Sequence, residues 1–115
     1  MPGMRARTHK YNAKPCIVDG IRFASKFEAK IYGDVKLLVK SGCVASVILQ
    51  KKFPLFGKSG KICIHIVDFF ITFKDGHSEV WEAKGFPTQE WKLKRKLFED
   101  NYPSIKYVVH SKGKK

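Results

Sequence analysis

Acidic residues are in short supply: ten Asp and Glu face twenty-three Lys and Arg, for a formal net charge of +13. A charge of this size invites a polyanion: DNA, RNA or an anionic membrane. Long apolar runs are also missing. No stretch is long enough to span a bilayer, and Met1 to Pro15 has no apolar core of a secretory signal, so a soluble, cytoplasmic protein that is not secreted is expected. Cysteine is scarce and odd in number. Cys16, Cys43 and Cys63 are isolated in apolar stretches, which excludes a disulfide framework or a cysteine-metal cluster and predicts three buried thiols. Internal repeats and long linkers are absent, leaving room for one domain.

What is present can build a core, with 43% hydrophobic and 13% aromatic residues. The charge is spread along the chain. Arg5, Arg7, Lys10 and Lys14 form an acid-free arm over residues 1–14, and Lys112, Lys114 and Lys115 an acid-free tail over 111–115. The body between them is itself basic. Membrane binding would need a basic amphipathic helix with a free apolar face, whereas both helices here need theirs for the core.

Asp19-Gly20 between short apolar runs signals a two-residue hairpin. Ser25 begins a helix in which Phe27, Ile31, Val35, Leu38 and Val39 recur at helical spacing, and Ser41-Gly42 stops it. Val44 to Leu49 is a strand, continued with a bend through Gln50 to Phe56 because Pro54 lacks a ladder donor. Ile62 to Phe73 is an apolar run interrupted by His65 and Asp68, which predicts a central strand buried on both faces. Asp75-Gly76 turns the chain into a return strand, Ser78 to Ala83. Thr88 caps a second helix through Tyr102, with Trp91, Leu97 and Phe98 inward, and Ile105 to Val109 is a last strand. The fold expected is α/β with a mixed sheet: an N-terminal β-hairpin, then helix, three strands, helix, strand, over residues 15–110.

Two features of this scheme carry chemistry. A carboxylate at Asp68, inside an apolar strand, is costly unless paired, hydrogen-bonded or metal-bound. Glu82 and Lys84 point to one face of the return strand, and Asp68 and Glu82 lie at nearly equal distances from the Asp75-Gly76 turn, so the hairpin brings them together. Converging carboxylates repel; a hard divalent cation such as Mg²⁺ or Mn²⁺ relieves this, with the carbonyl of Ala83 as a further ligand. A metal can activate water and neutralise phosphate charge, and Lys84 would orient the water or stabilise developing charge. Glu28 has two readings. In Ser25-Lys-Phe-Glu28 it completes a capping box; as a third carboxylate it faces the metal.

The combination Phe23-Ala-Ser-Lys-Phe-Glu28, Gln50-Lys-Lys-Phe, Val67-Asp68-Phe and Glu82-Ala-Lys84-Gly85-Phe, followed by a lysine-rich helix, resembles the PD-(D/E)XK nuclease superfamily. Within it the likeness is to the small phage-type endonucleases and, more distantly, to archaeal-type Holliday junction resolvases. The resemblance covers roughly Ser25 to Val109; Val67 stands where the motif's name has proline. It implies a restriction-endonuclease-like core and a Mg²⁺-dependent endonuclease of a bacterial or phage-infected cell, with Mn²⁺ as a substitute. Asp68 and Glu82 would be ligands, Lys84 the catalytic lysine and Glu28 a helper carboxylate. It also suggests that Gln50 lies near the site.

Gln89 and Lys92, at the start of the second helix, are placed to meet a DNA phosphate, and Arg95 and Lys96 extend that charge. Arg5, Arg7 and Lys10 in the arm are further DNA-binding candidates. His65 projects away from Asp68 as a core histidine, and Trp81 and Trp91 read as core. Two substrate classes compete: branched DNA cut by structure, and a sequence-specific nicking or homing-type target. A homodimer would give paired cuts. A non-catalytic DNA-binding module and a basic RNA-binding protein explain the charge, but the second leaves Asp68, Glu82 and Lys84 without a role.

Overall fold

The computed structural model describes residues 14–111; the DNA-binding candidates Arg5, Arg7 and Lys10 lie outside them. Asp19 (φ 54°) and Gly20 (φ 77°) adopt the paired positive φ values of a tight hairpin turn, joining β1 (Cys16–Val18) to β2 (Ile21–Phe23). The Asp19 carboxylate also accepts from Lys36 Nζ at 2.6 Å and Tyr32 Oη at 3.0 Å, which ties the hairpin to the next element.

That element is α1 (Lys26–Lys40). Ser25 caps it, accepting from the Glu28 N–H at 3.1 Å, and Gly42 at φ 91° ends it. Ile31 and Val35 are buried and Leu38 packs beside them, whereas Val39 is exposed, one position round from the core face. The main sheet follows: β3 (Val44–Gly57), β4 (Gly60–Phe73), β5 (Ser78–Lys84), then α2 (Gln89–Asn101) and β6 (Lys106–Ser111). Its order is β3-β4-β5-β6, antiparallel except for the parallel β5–β6 pair. The α+β architecture with an N-terminal hairpin is the one expected. Pro54 does not interrupt β3, because β3 is an edge strand; its carbonyl accepts from Tyr102 Oη at 2.7 Å.

The helices pack on separate cores. Phe23, Ile31, Val35, Val44, Phe69 and Ile71 form one with α1; Phe53, Leu55, Val67, Val80 and Phe98 form the other with α2. Phe53, Phe98 and Tyr102 meet in edge-on and tilted ring contacts at 5.0–5.2 Å. Strand alternation should place Val67 and Phe69 on one face, yet they serve different cores. The same reversal occurs between Leu49 and Phe53 on β3. Between them stand Asp68 and Gln50, the latter with a left-handed φ of 54°. The ribbon therefore rolls over at these two residues, and they mark the place where the two cores meet.

The roll corrects two expectations. β4 is enclosed on both faces only from Val67 onward; in its first half Ile62, Ile64 and Ile66 are 61%, 41% and 48% exposed, because α1 does not reach that far along the ribbon. The cysteines are not three buried thiols. Cys16 and Cys63 are half-buried, and Cys43 is exposed, because it lies in the bend after α1 before β3 turns inward. All three are free thiols, as expected.

Candidate active site

β4 and β5 pair from Thr72↔Ser78 to Phe69↔Trp81, where the backbone ladder ends. One residue further, Asp68 stands opposite Glu82, as the position of the turn requires. Here side chains take over from the ladder. The Asp68 N–H donates to Glu82 Oε2 at 3.2 Å, and the Ala83 N–H donates to Asp68 Oδ2 at 2.9 Å. Glu82 is 2% exposed and Asp68 half-buried. Glu28, in the first turn of α1, comes in from the other side: Gln50 Nε2 donates to Glu28 Oε2 at 3.3 Å and to Asp68 Oδ1 at 3.4 Å.

The electrostatics follow from packing three carboxylates together. Burial, and then repulsion from Asp68, push Glu82 up to about 8. The same two causes push Glu28 up to about 7, against the pull of the Ala24 backbone amide and Lys84. Burial raises Asp68 above the usual carboxylate range, although the Ala83 amide, Lys84 and Gln50 favour its charged form. Lys84 is the cation nearest in sequence, yet it makes no ion pair among the described residues; its Nζ lies 5.3 Å from the centroid of the Trp91 ring. The cluster therefore keeps protons near neutral pH, with Glu28 and Asp68 hydrogen-bonded to each other, in a place where a cation could replace them.

The cluster opens into a cleft of about 660 Å³ lined by Arg22, Ser25, Glu28, Gln50, Asp68, Ala83 and Lys84, with apolar walls from Ile21, Phe23 and Leu49. Glu82 forms the closed floor rather than the lining. Among the described residues no three His, Cys, Asp or Glu side chains are arranged to hold a metal by themselves. The donor set that fits a hard cation is the smaller one, Asp68 and Glu82 with the carbonyl of Ala83. Ala83 lines the cleft and aims its N–H at Asp68, and in an extended strand the carbonyl of the same residue faces the same edge.

Of the expected capping box the Ser25 half forms, with Ser25 Oγ accepting from the Glu28 N–H; the Glu28 carboxylate enters the cleft beside Asp68 and the Ala24 amide. Gln50 lies in the cleft with it. Gln89 does not; it is exposed at the start of α2, where Thr88 Oγ1 already accepts from the Trp91 N–H at 3.1 Å. Lys92, Arg95 and Lys96 line a second groove, with Pro87, Trp91 and Val109. Trp91 links the two regions, because Lys84 Nζ lies 5.3 Å and Arg95 Cζ 6.0 Å from its ring centroid. Arg22 was missed from the sequence. Nothing in Ile-Arg-Phe marks it; only the folding of the β1–β2 hairpin against α1 carries it to the cleft.

His65 is a core residue as expected, buried against Phe98 and Tyr107, with Nε2 2.8 Å from Tyr107 Oη. Burial and the positive charge of Lys94 and Lys84 push it down to about 4, so it is neutral at pH 7. His77 bridges Asp75 and Glu79 near the turn, away from the cleft. Among the described residues no helix is long and apolar enough to cross a membrane.

None of the curated proteins and none of the solved structures matches the chain. A family does, over residues 8–115, and its description gives no activity. With nearly the whole sequence matched, the chain belongs to DUF1064, a family described as proteins of unknown function.

Proposed function

We propose that this protein is a metal-dependent DNA endonuclease of the PD-(D/E)XK kind. The observation that carries the reading is the convergence of Glu28, Asp68 and Glu82, from a helix and two strands, on one cleft edge with their proton affinities raised and, among the described residues, no ion pair to neutralise them. Such a cluster favours whatever brings positive charge, and its oxygen donors suit Mg²⁺ or Mn²⁺. A bound metal would supply Lewis-acid stabilisation of a phosphoryl oxygen and a more acidic water.

The protein's own groups define the rest. Asp68 and Glu82 hold the cation-binding edge, each fixed by a backbone N–H of the opposite strand. Lys84 sits at the mouth, where its ammonium would meet the developing charge on the scissile phosphate. Glu28, about half ionised near pH 7, is suited to hold or accept a proton from an attacking water. The groove of Lys92, Arg95 and Lys96 continues the positive surface past Trp91 and gives the DNA backbone a track into the cleft. By the likeness to the junction resolvases, the target we expect is branched DNA read by shape.

The test is a panel of linear duplex, supercoiled plasmid, flap and four-way junction incubated with Mg²⁺, with Asp68→Asn as control. Cleavage of the branched substrates by the unaltered protein alone is expected. Cleavage that survives in Asp68→Asn would falsify the site, and cutting of plasmid at one position with junctions left intact would replace shape by sequence as the target.

A further inference from the structure

Gln50 is unusual in two independent ways. Among the described non-glycine residues, positive φ occurs only at Asp19 and Gln50. Asp19 shares a tight turn with a glycine, where that conformation is repaid locally. Gln50 is in the middle of β3, where a left-handed backbone is strained and earns nothing from its neighbours in the chain. Its side chain is the second feature. One nitrogen bridges Glu28 Oε2 and Asp68 Oδ1, carboxylates that reach the cleft from α1 and from β4.

These features have a common geometry. Before Gln50, Val47 and Leu49 pack toward α1; after it, Phe53 and Leu55 pack toward α2, and Lys51 lies over the Phe53 and Phe70 rings on that second face. The left-handed residue is the pivot of the roll. At a pivot the side chain leaves the alternation of the strand and can be aimed between the two faces, where the cleft lies. We propose that Gln50 is a positioning residue of the cleft: its amide fixes the separation of the Glu28 and Asp68 carboxylates, and its strained backbone aims that amide.

The residue type fits this task. A carboxamide nitrogen carries two N–H donors and no charge, so it can tie two carboxylates together without neutralising them. Lysine at this position would cancel the charge that a cation is to meet, glutamate would add a further repelling group, and asparagine is one methylene short. The inference rests on the nuclease reading for the purpose of the fixed carboxylates; the bridge and the pivot are features of the fold itself.

Three full-length proteins test it: the unaltered chain, Gln50→Gly and Gln50→Ala. Glycine removes the backbone strain and the amide together, whereas alanine retains the strain and loses only the amide. Melting temperature is measured without metal, Mn²⁺ binding by calorimetry, and cleavage as a function of Mg²⁺ concentration. Gln50→Gly is expected to melt no lower than the unaltered protein. Both variants should bind Mn²⁺ roughly 10-fold or more weakly and need correspondingly more Mg²⁺ for half-maximal cleavage, as happens when groups that orient metal ligands are removed. A residue that only shapes the strand would leave the Mn²⁺ affinity of a stable Gln50→Gly unchanged, and that result overturns the proposal while leaving the nuclease reading intact. Absence of Mn²⁺ binding by the unaltered protein removes the nuclease reading and this inference together.

Discussion

Replacing Glu82 by glutamine should make the metal-free protein more stable at pH 8 while abolishing cleavage. Glu82 is almost fully enclosed, and its proton affinity in the folded state is raised from 4.5 to about 8 by burial and by Asp68. A carboxyl raised in this way binds its proton more tightly when folded than when unfolded. Its contribution is therefore favourable below pH 4.5 and is lost progressively as pH rises through the folded value of about 8. Each pH unit across that window withdraws about 1.4 kcal/mol, which sets a ceiling of ~4 kcal/mol by pH 8. Glutamine is nearly isosteric, keeps an oxygen to accept from the Asp68 N–H, and presents donors rather than charge to the Asp68 carboxylate. Burying the new amide offsets part of the gain, leaving on the order of 2 kcal/mol at pH 8, or about 8 °C in melting temperature for a domain of this size. At pH 4 the gain should largely vanish, because Glu82 is then mostly protonated in both states. Thermal melts of the two proteins in EDTA at both pH values measure the difference. A Glu82→Gln protein that is less stable at pH 8, or equally stabilised at both pH values, would refute the argument that burial and Asp68 raise the proton affinity of Glu82.

Other expectations follow from the same geometry. Cleavage should rise from pH 6 to pH 8, since Glu28 and Glu82 lose their protons near 7 and 8, and added Mg²⁺ should move the rise to lower pH; a flat rate from pH 5 to 9 contradicts this. Lys84→Met should lower single-turnover cleavage by about 10²–10³ with little change in DNA affinity, and a drop confined to affinity would make Lys84 a binding residue only. In Lys92→Ala/Lys96→Ala, DNA affinity should fall, and the slope of log affinity against log salt should flatten by about two units, read by fluorescence anisotropy; an unchanged slope would take the α2 groove off the DNA path. Phe98→Ala should cost about 3–5 kcal/mol in a urea titration, because Phe98 is fully buried among Phe53, Tyr102 and Tyr107, and a loss below about 1 kcal/mol would deny the α2 core its central place.

What the sequence revealed, it revealed through local chemistry. Asp-Gly at 19–20 and 75–76, the cap at Ser25 and the glycine after α1 each act within a few residues, so turns and helix ends could be placed directly. The meeting of Asp68 with Glu82 needed only the position of a turn and antiparallel pairing. The roll of the β3–β4 ribbon was hidden because glutamine, unlike glycine or asparagine, carries no preference for a left-handed backbone. Its consequences were hidden with it. The apolar run Ile62 to Phe73 looks uniform, but burial of its two halves depends on how far α1 reaches, which no periodicity records. Arg22 enters the cleft, and Gln89 stays outside it, through packing between elements distant in the chain.

The central claim is a cation held between β4 and β5, and it can be seen directly by anomalous diffraction from crystals of the unaltered protein grown with Mn²⁺. The expected result is one strong peak bounded by the Asp68 and Glu82 carboxylates and the Ala83 carbonyl, at metal–oxygen distances of about 2.0–2.3 Å. Crystals saturated with Mn²⁺ that show no peak at this edge, with Glu82 Oε2 still accepting only from the Asp68 N–H, would contradict the account.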